Sequence, residues 1–485
     1  MTAVVGNEYQ TDIFANYDPK SFYCELFGKR DLKHTRAIRT NLKGIDLKTL
    51  CRKSRDAKRE LFNLGITFST YSDQKSIDRI LPFDVIPRLL SSKDWVRIEE
   101  GIKQRVTALN LFLHDVYHNQ LILKDGVVPA DLIKGNENYR KQMVGHDVPL
   151  GTYVHVSGTD LVRNEQGNFC VLEDNLRNPS GVSYVIENRH LMMRTFPDLA
   201  NGMAVADLDD YGSRLSKALR EVSPGGDTDP TIVLLSPGIY NSAYFEHVFL
   251  AREMGAPLAE GRDLLVENDK VYMRTINGNR RVHVIYRRIN DEFLDPETFR
   301  KDSVLGVRGL FRAYIKGNVT LANAVGTGVG DDKAVYSYVP RIIKYYLDEE
   351  PILENIQTYI CRETSGLSKT LDAIEKLVVK PVGEAGGYGV VVGPLASKRE
   401  LSRLRQKIKS NPKNYVSQPV VELSVCPTLV GRSIEPRHVD LRPFALTGSD
   451  TWVLPGGLTR VAMRQGSFIV NSSQGGGSKD TWVLD

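Results

Sequence analysis

HVSGTDLVRNEQGNFCVLEDNLRNPSGVSYVIENR, running from His155 to Arg189, sets carboxylates, amides and arginines between short apolar runs. Tyr153 to Val156 reads as one strand, Asn164 to Asn168 as a turn and Phe169 to Leu172 as a second strand, so the segment predicts a hairpin whose strands end at acidic residues. Asp160 leaves the first strand. Glu173 and Asn175 leave the second on one shared face, because residues two apart in a strand project alike. Two carboxylates and an amide are the hard oxygen donors that magnesium takes, with water and substrate phosphates filling its remaining positions. Asp174 falls on the opposite face. A turn role for Asp160 and an ion pair between Glu173 and Arg177 describe the same residues equally well. Arg177 and Arg189 carry forks that match a phosphate or a carboxylate.

Downstream, LVVKPVGEAGGYGVVV (Leu377 to Val392) places Lys380 at the end of a strand. Gly383, Gly386, Gly387 and Gly389 then let backbone N–H groups approach phosphate oxygens. The order is not that of a Walker loop or a dinucleotide fingerprint, and a purely structural glycine hairpin fits it too. Asn318, Asn323, Asp332 and Lys333 precede a helix expected over Ser337 to Leu347 and offer a second cationic contact. Gln418 to Glu422 follows an apolar strand, where an extended hinge reads adenine through its backbone. Arg437, Asp440, Arg442 and Arg460 lie on or beside late strands, suited to neutralising charge on a transferred phosphoryl group. Those strands are expected at Tyr415 to Val421, Val439 to Phe444, Thr451 to Leu454 and Ser467 to Val470.

The remainder of the sequence bounds the reading. A chain of 485 residues favours two or three lobes over a single core. With 64 basic and 59 acidic residues the net charge is only +5, which gives no nucleic-acid signal; the basic run Lys398 to Lys413 reads as one solvated helix face. Five scattered cysteines suggest neither a zinc ribbon nor a disulfide framework. His114 and His118 have helical metal-pair spacing but no acidic third ligand. No leader or membrane-spanning run is apparent, so a cytoplasmic protein is expected. Ile98, Ile102, Val106, Leu109 and Phe112 form a helical stripe, while Thr231 to Leu235, Ala243 to Met254 and Asp263 to Val266 read as a small βαβ unit.

The acidic segment stands before the lysine and glycine loop. Together with NAVGTGVGDDKAVYSYVPRIIKYYLDEEPIL, KPVGEAGGYGV and GGLTRVAMRQGSFIVNSSQGGGSKDTWVL, that order resembles the circularly permuted ATP-grasp proteins of type 2, with a more distant likeness to glutathionylspermidine synthetase. The resemblance implies an α+β, circularly permuted ATP-grasp fold with a helical N-terminal region and a small inserted βαβ unit. It divides the chain into an N-terminal arm and helical cap (1–130), a part with the magnesium ligands (131–229), a substrate-side lobe (230–300) and a part with the lysine, loop and hinge (301–485). It implies that Asp160, Glu173 and Asn175 bind magnesium, that Lys333, Lys380 and the loop Gly383 to Gly389 contact the ATP phosphates, and that Gln418 and Glu422 belong to the hinge. Arg460 and Arg177 are the expected catalytic arginines. The implied activity is ligation of a small-molecule or peptide carboxylate to an amine through an acylphosphate, with a phosphotransferase or a non-catalytic nucleotide-binding protein as alternatives. The synthetase has an arginine two residues before its first aspartate ligand; this chain has Gly158, which leaves Arg163, Arg177 and Arg189 as candidates to hold the substrate.

Overall fold

Val156–Arg163 and Phe169–Asn175 form an antiparallel hairpin, the first strand buried along its whole length. The expected strand at Tyr153 to Val156 starts three residues later, for a local reason. Asn110 Oδ1 accepts from Tyr153 N and Val154 N at 2.8 and 2.9 Å, and Asn323 Oδ1 from His155 N and Val156 N at 2.7 and 2.8 Å. Side-chain amides satisfy backbone donors that a neighbouring strand would otherwise take. Asp160 therefore sits inside the strand, not at its end. The structure is a computed structural model and describes residues 12–28, 33–72, 75–226, 228–383, 388–467, 470–471 and 475–484.

The hairpin belongs to a sheet of ten strands among the described residues, whose main path runs Glu354–Asn355, Phe169–Asn175, Val156–Arg163, Ser433–Arg442, Leu458–Val461, Gly477–Leu484 and Phe83–Ser91. Sequence segments from the first and last thirds of the chain are thus neighbours in one sheet. Gly477–Leu484 is buried throughout and runs parallel to Phe83–Ser91. The N-terminal region carries its expected helices, Leu47–Asn63 and Ser92–Tyr117, and also a helix, Lys33–Lys43, and this strand, neither of them foreseen. Phe83–Ser91 contains Pro87 and two charges, yet its Asp84 pairs with Lys479 and its Arg88 with Glu25, the latter at 2.8 Å. Ser91 then caps the next helix, accepting from Asp94 N at 3.1 Å.

A parallel sheet orders Thr320–Ala322, Val284–Arg287, Ile232–Leu235 and Leu258–Ala259, with helix Tyr244–Met254 as the crossover. The returning strand of the βαβ unit is therefore Leu258–Ala259. The expected run at Asp263 to Val266 falls instead on Leu264–Glu267, which pairs antiparallel with Lys270–Thr275. This lobe also reaches past residue 300, since Thr320–Ala322 completes its sheet.

A smaller antiparallel sheet orders Tyr359–Ile360, Tyr415–Pro419, Leu377–Pro381 and Val391–Val392. Helix Lys398–Ser410 buries Leu401, Leu404 and Ile408 in a cluster with Val379 and Ile374 and turns its cations to solvent. Ser467 and Val470 lie in no strand; Phe468 and Ile469, in the same expected element, are outside the described residues. Among the described residues no helix is long and apolar enough to cross a membrane.

Candidate functional site

Between the hairpin and the small sheet lies a cleft of about 1020 Å³, its open mouth included. Asp160 and Glu173 enter it from the hairpin, Lys333 from the start of helix Lys333–Tyr336, Lys380 and Gln418 from the small sheet, and Asp440 and Arg460 from the late strands. Val162, Leu172, Val378, Val392, Val421 and Leu423 give it apolar walls. An apolar slot with a few convergent charges suits a planar base carrying phosphates.

Gly158 pairs with Asn175 and Asp160 with Glu173; a β-bulge then makes Leu161 face Val171. Asp160, Glu173 and Asn175 thereby share one face of the sheet. Asn175 Nδ2 donates to Gly158 O at 3.3 Å, leaving its Oδ1 as an acceptor. Two carboxylates and an amide oxygen on one face fit magnesium by donor chemistry. Asp174, on the other face, is clamped by Arg105 at 2.7 Å and is structural, as its position in the strand implies.

Burial by itself would raise the Asp160 carboxyl, but Arg442 and then Arg460 more than offset it and hold it well below the ordinary carboxylate range. Arg442 forks onto both oxygens of Asp160, and Arg460 Nη2 reaches Oδ2 at 2.6 Å. Asp440 supports Arg460 at 3.0 Å; burial dominates there and pushes its carboxyl up. Glu173 stands 3.7 Å from Lys333 and 4.0 Å from Arg442. Lys380 is 8% exposed, and burial, with a smaller contribution from Lys333, pulls its ammonium down to about 8 against the opposing pull of Glu173 and Asp160. Three carboxylates thus face four cations, a surplus suited to polyphosphate.

Other expected residues lie elsewhere. Arg177 does not line the cleft: it pairs with Asp331 at 2.7 Å and donates to Asn138 at 3.3 Å. Arg163 is tied to Asp94 and Glu25, and Arg189 to Asp480 and the Thr481 carbonyl, so both brace strands. Glu422 lies between the lining residues Val421 and Leu423, and Asn175 two positions beyond the lining Glu173, without either lining the cleft itself. Gly389 has φ +71 and lies so close to Pro381 that a Cβ would come within 2.8 Å of its Cγ, so that turn requires glycine. A Cβ on Gly383 would face Glu137, while Gly386 and Gly387 are outside the described residues. His114 and His118 stack at 4.1 Å, and no group of three or more His, Cys, Asp or Glu suited to a metal occurs among the described residues.

Two residues matter more than spacing reveals. Asn323, besides its backbone donors, gives Nδ2 to Val156 O at 2.6 Å and Leu176 O at 2.7 Å, stapling the start of the first hairpin strand to the residue that follows the second. Arg442 shares a strand face with Asp440, a signal visible in HVDLR, but its pairing with Asp160 joins residues far apart in the sequence.

Residues 87–462 match the family described as "Circularly permuted ATP-grasp type 2". An uncharacterized protein of Synechocystis sp. (strain ATCC 27184 / PCC 6803 / Kazusa) is 50% identical over 97% of this chain and 98% of its own length. A protein of Frankia casuarinae named "Putative glutamate--cysteine ligase 2-2" is 43% identical over 86% of this chain and 48% of its own, so the chain spans about half of that relative. Among solved structures, a glutathione synthetase-like effector of Globodera pallida in its apo form shares the fold, with TM-score 0.58 at 12% identity over 90% of this chain and 98% of that one.

Proposed function

This chain belongs to the circularly permuted ATP-grasp type 2 family, and we propose that it is an ATP-dependent carboxylate–amine ligase. The observation that carries the reading is the single cleft that collects Asp160 and Glu173 from the first half of the sequence with Lys333, Lys380 and Arg460 from the second. The apolar walls near Gln418 would take the base of ATP, and Lys333, Lys380 and Arg460 its phosphates. Asp160, Glu173 and Asn175 would hold magnesium, which would supply charge neutralisation on those phosphates. A substrate carboxylate oxygen bonds to the γ-phosphorus as the bond to the β–γ bridging oxygen breaks and ADP leaves. The amine nitrogen then bonds to the acyl carbon, phosphate departs, and the amine proton passes to solvent. Fixed cations aimed at the transferring group act most strongly where water is scarce.

The acid and amine are small molecules or peptides, met in the cytoplasm, with neither nucleic acid nor membrane involved. The name of the Frankia relative makes L-glutamate and L-cysteine the first pair to try, although that name belongs to a protein of which this chain matches about half. The test is ADP release across a panel of acids and amines. Release that needs both an acid and an amine, with an amide as product, is the expected result. A stable phosphorylated product would make the protein a phosphotransferase, and Mg-ATP binding without turnover a non-catalytic nucleotide-binding protein.

A further inference from the structure

The two arginines on Asp160 differ in what else holds them. Arg460 is anchored from behind, its Nε donating to both oxygens of Asp440 at 3.0 and 3.1 Å while Nη2 reaches Asp160. Arg442 closes its fork on Asp160 itself, with Nη2 on Oδ2 at 2.8 Å. Its remaining Nη1 donates to the Ser180 carbonyl at 3.2 Å, and Glu173 stands off at 4.0 Å. Arg442 is not part of the cleft lining, whereas Arg460 is. The stem of Arg442 crosses the strand over Gly158, where a Cβ would meet its Cδ at 3.3 Å and Pro179 Cβ at 3.2 Å. Glycine at 158 is what gives the arm room to lie there.

Ser180 offers a fixed acceptor. Arg288 donates to the Pro179 carbonyl at 2.8 Å and to the Ser180 hydroxyl at 2.5 Å, and is itself held by Glu246 at 3.0 Å. Glu246 also accepts from Gly181 N at 2.7 Å and Ser183 N at 3.1 Å. The inserted lobe thus pins the loop beside which Arg442 ends. An ionised carboxylate has about four lone-pair positions, and the two arginines already direct three donors at those of Asp160. A divalent cation on Asp160 and the Arg442 fork therefore compete for the same oxygens.

We propose that Arg442 is an exchangeable counter-ion of Asp160: it neutralises the carboxylate when no metal is bound, yields it to a divalent cation, and stays tethered beside Ser180. Arg460 remains in place because Asp440 holds it. The inference rests on the assignment of Asp160 as a metal ligand.

The test is Mn²⁺ titration of the full chain, with and without ADP, followed by electron paramagnetic resonance. Arg442→Gln removes both the competing fork and a nearby positive charge, so Mn²⁺ should bind at least about tenfold more tightly. Arg442→Lys, whose ammonium has no fork, should give an intermediate gain of about threefold and carries the test alone if the glutamine variant does not fold. Unchanged or weaker Mn²⁺ binding in folded variants overturns the counter-ion role. No Mn²⁺ binding by the unaltered protein or either variant, even with ADP, overturns the metal assignment itself.

Discussion

Asp160 and Glu173 stand directly opposite each other on neighbouring antiparallel strands, immediately before the bulge that shifts the pairing of Leu161 to Val171. Two carboxylates in that relation repel each other unless cations surround them, and Arg442, Arg460, Lys333 and Lys380 do so from sequence-distant elements. The strand pair thus keeps both carboxylates charged with partners drawn from other elements.

Glu173→Ala should lower ATP turnover about a hundredfold or more, on the order of 3 kcal/mol of transition-state stabilisation. The Glu173 side chain is 27% exposed, so thermal unfolding should shift little. Steady-state ADP release beside a melting curve checks both.

Lys380 should make nucleotide binding pH-dependent. Burial brings its ammonium down to about 8, so the free protein carries the charge below that pH and loses it above. Bound phosphates favour the charged form, so ATP affinity should be flat below pH 8 and fall above it. The folding linkage has the opposite sense: between about 8 and the unperturbed value near 10.4 the unfolded chain binds more protons, so stability should rise with pH there. Lys380→Arg, always charged, should flatten the ATP profile in calorimetry across pH 7 to about 9.5.

Asp174 and Arg105 form a buried pair at 2.7 Å on the face away from the cleft. Removing either partner should cost roughly 3–5 kcal/mol, while replacing both with apolar residues of similar volume should be close to neutral. Urea unfolding of Arg105→Met, Asp174→Leu and the double variant tests this, and Mg-ATP affinity should survive in the double variant.

Asn323→Ala strips partners from His155 N, Val156 N, Val156 O and Leu176 O, all at 2.8 Å or less. Stranded buried backbone groups should cost about 3 kcal/mol or more. Denaturant unfolding, with hydrogen exchange at His155 and Val156, would locate the loss.

The sequence made Asp160, Glu173 and Lys380 legible because strand alternation and a glycine loop are local patterns. It hid Phe83–Ser91, where Pro87, Asp84 and Arg88 speak against a strand; the compensating groups, Lys479, Glu25 and the Gly477–Leu484 partner, come from elsewhere in the chain. The hairpin starts later than its apolar run for a related reason, since Asn110 and Asn323 take over the first backbone donors. Arginines near the acidic segment read as substrate contacts, but Arg177, Arg163 and Arg189 each meet a structural carboxylate. Arg442 meets the carboxylate of the site itself, a pairing that only the sheet order discloses.

The most direct test of a single nucleotide site built from both halves of the chain is calorimetric titration with Mg-ATP of the unaltered protein, Glu173→Ala and Lys380→Ala. One nucleotide bound per chain, with affinity reduced at least about tenfold by each substitution, is the predicted result. Folded variants that bind Mg-ATP as tightly as the unaltered protein would contradict it.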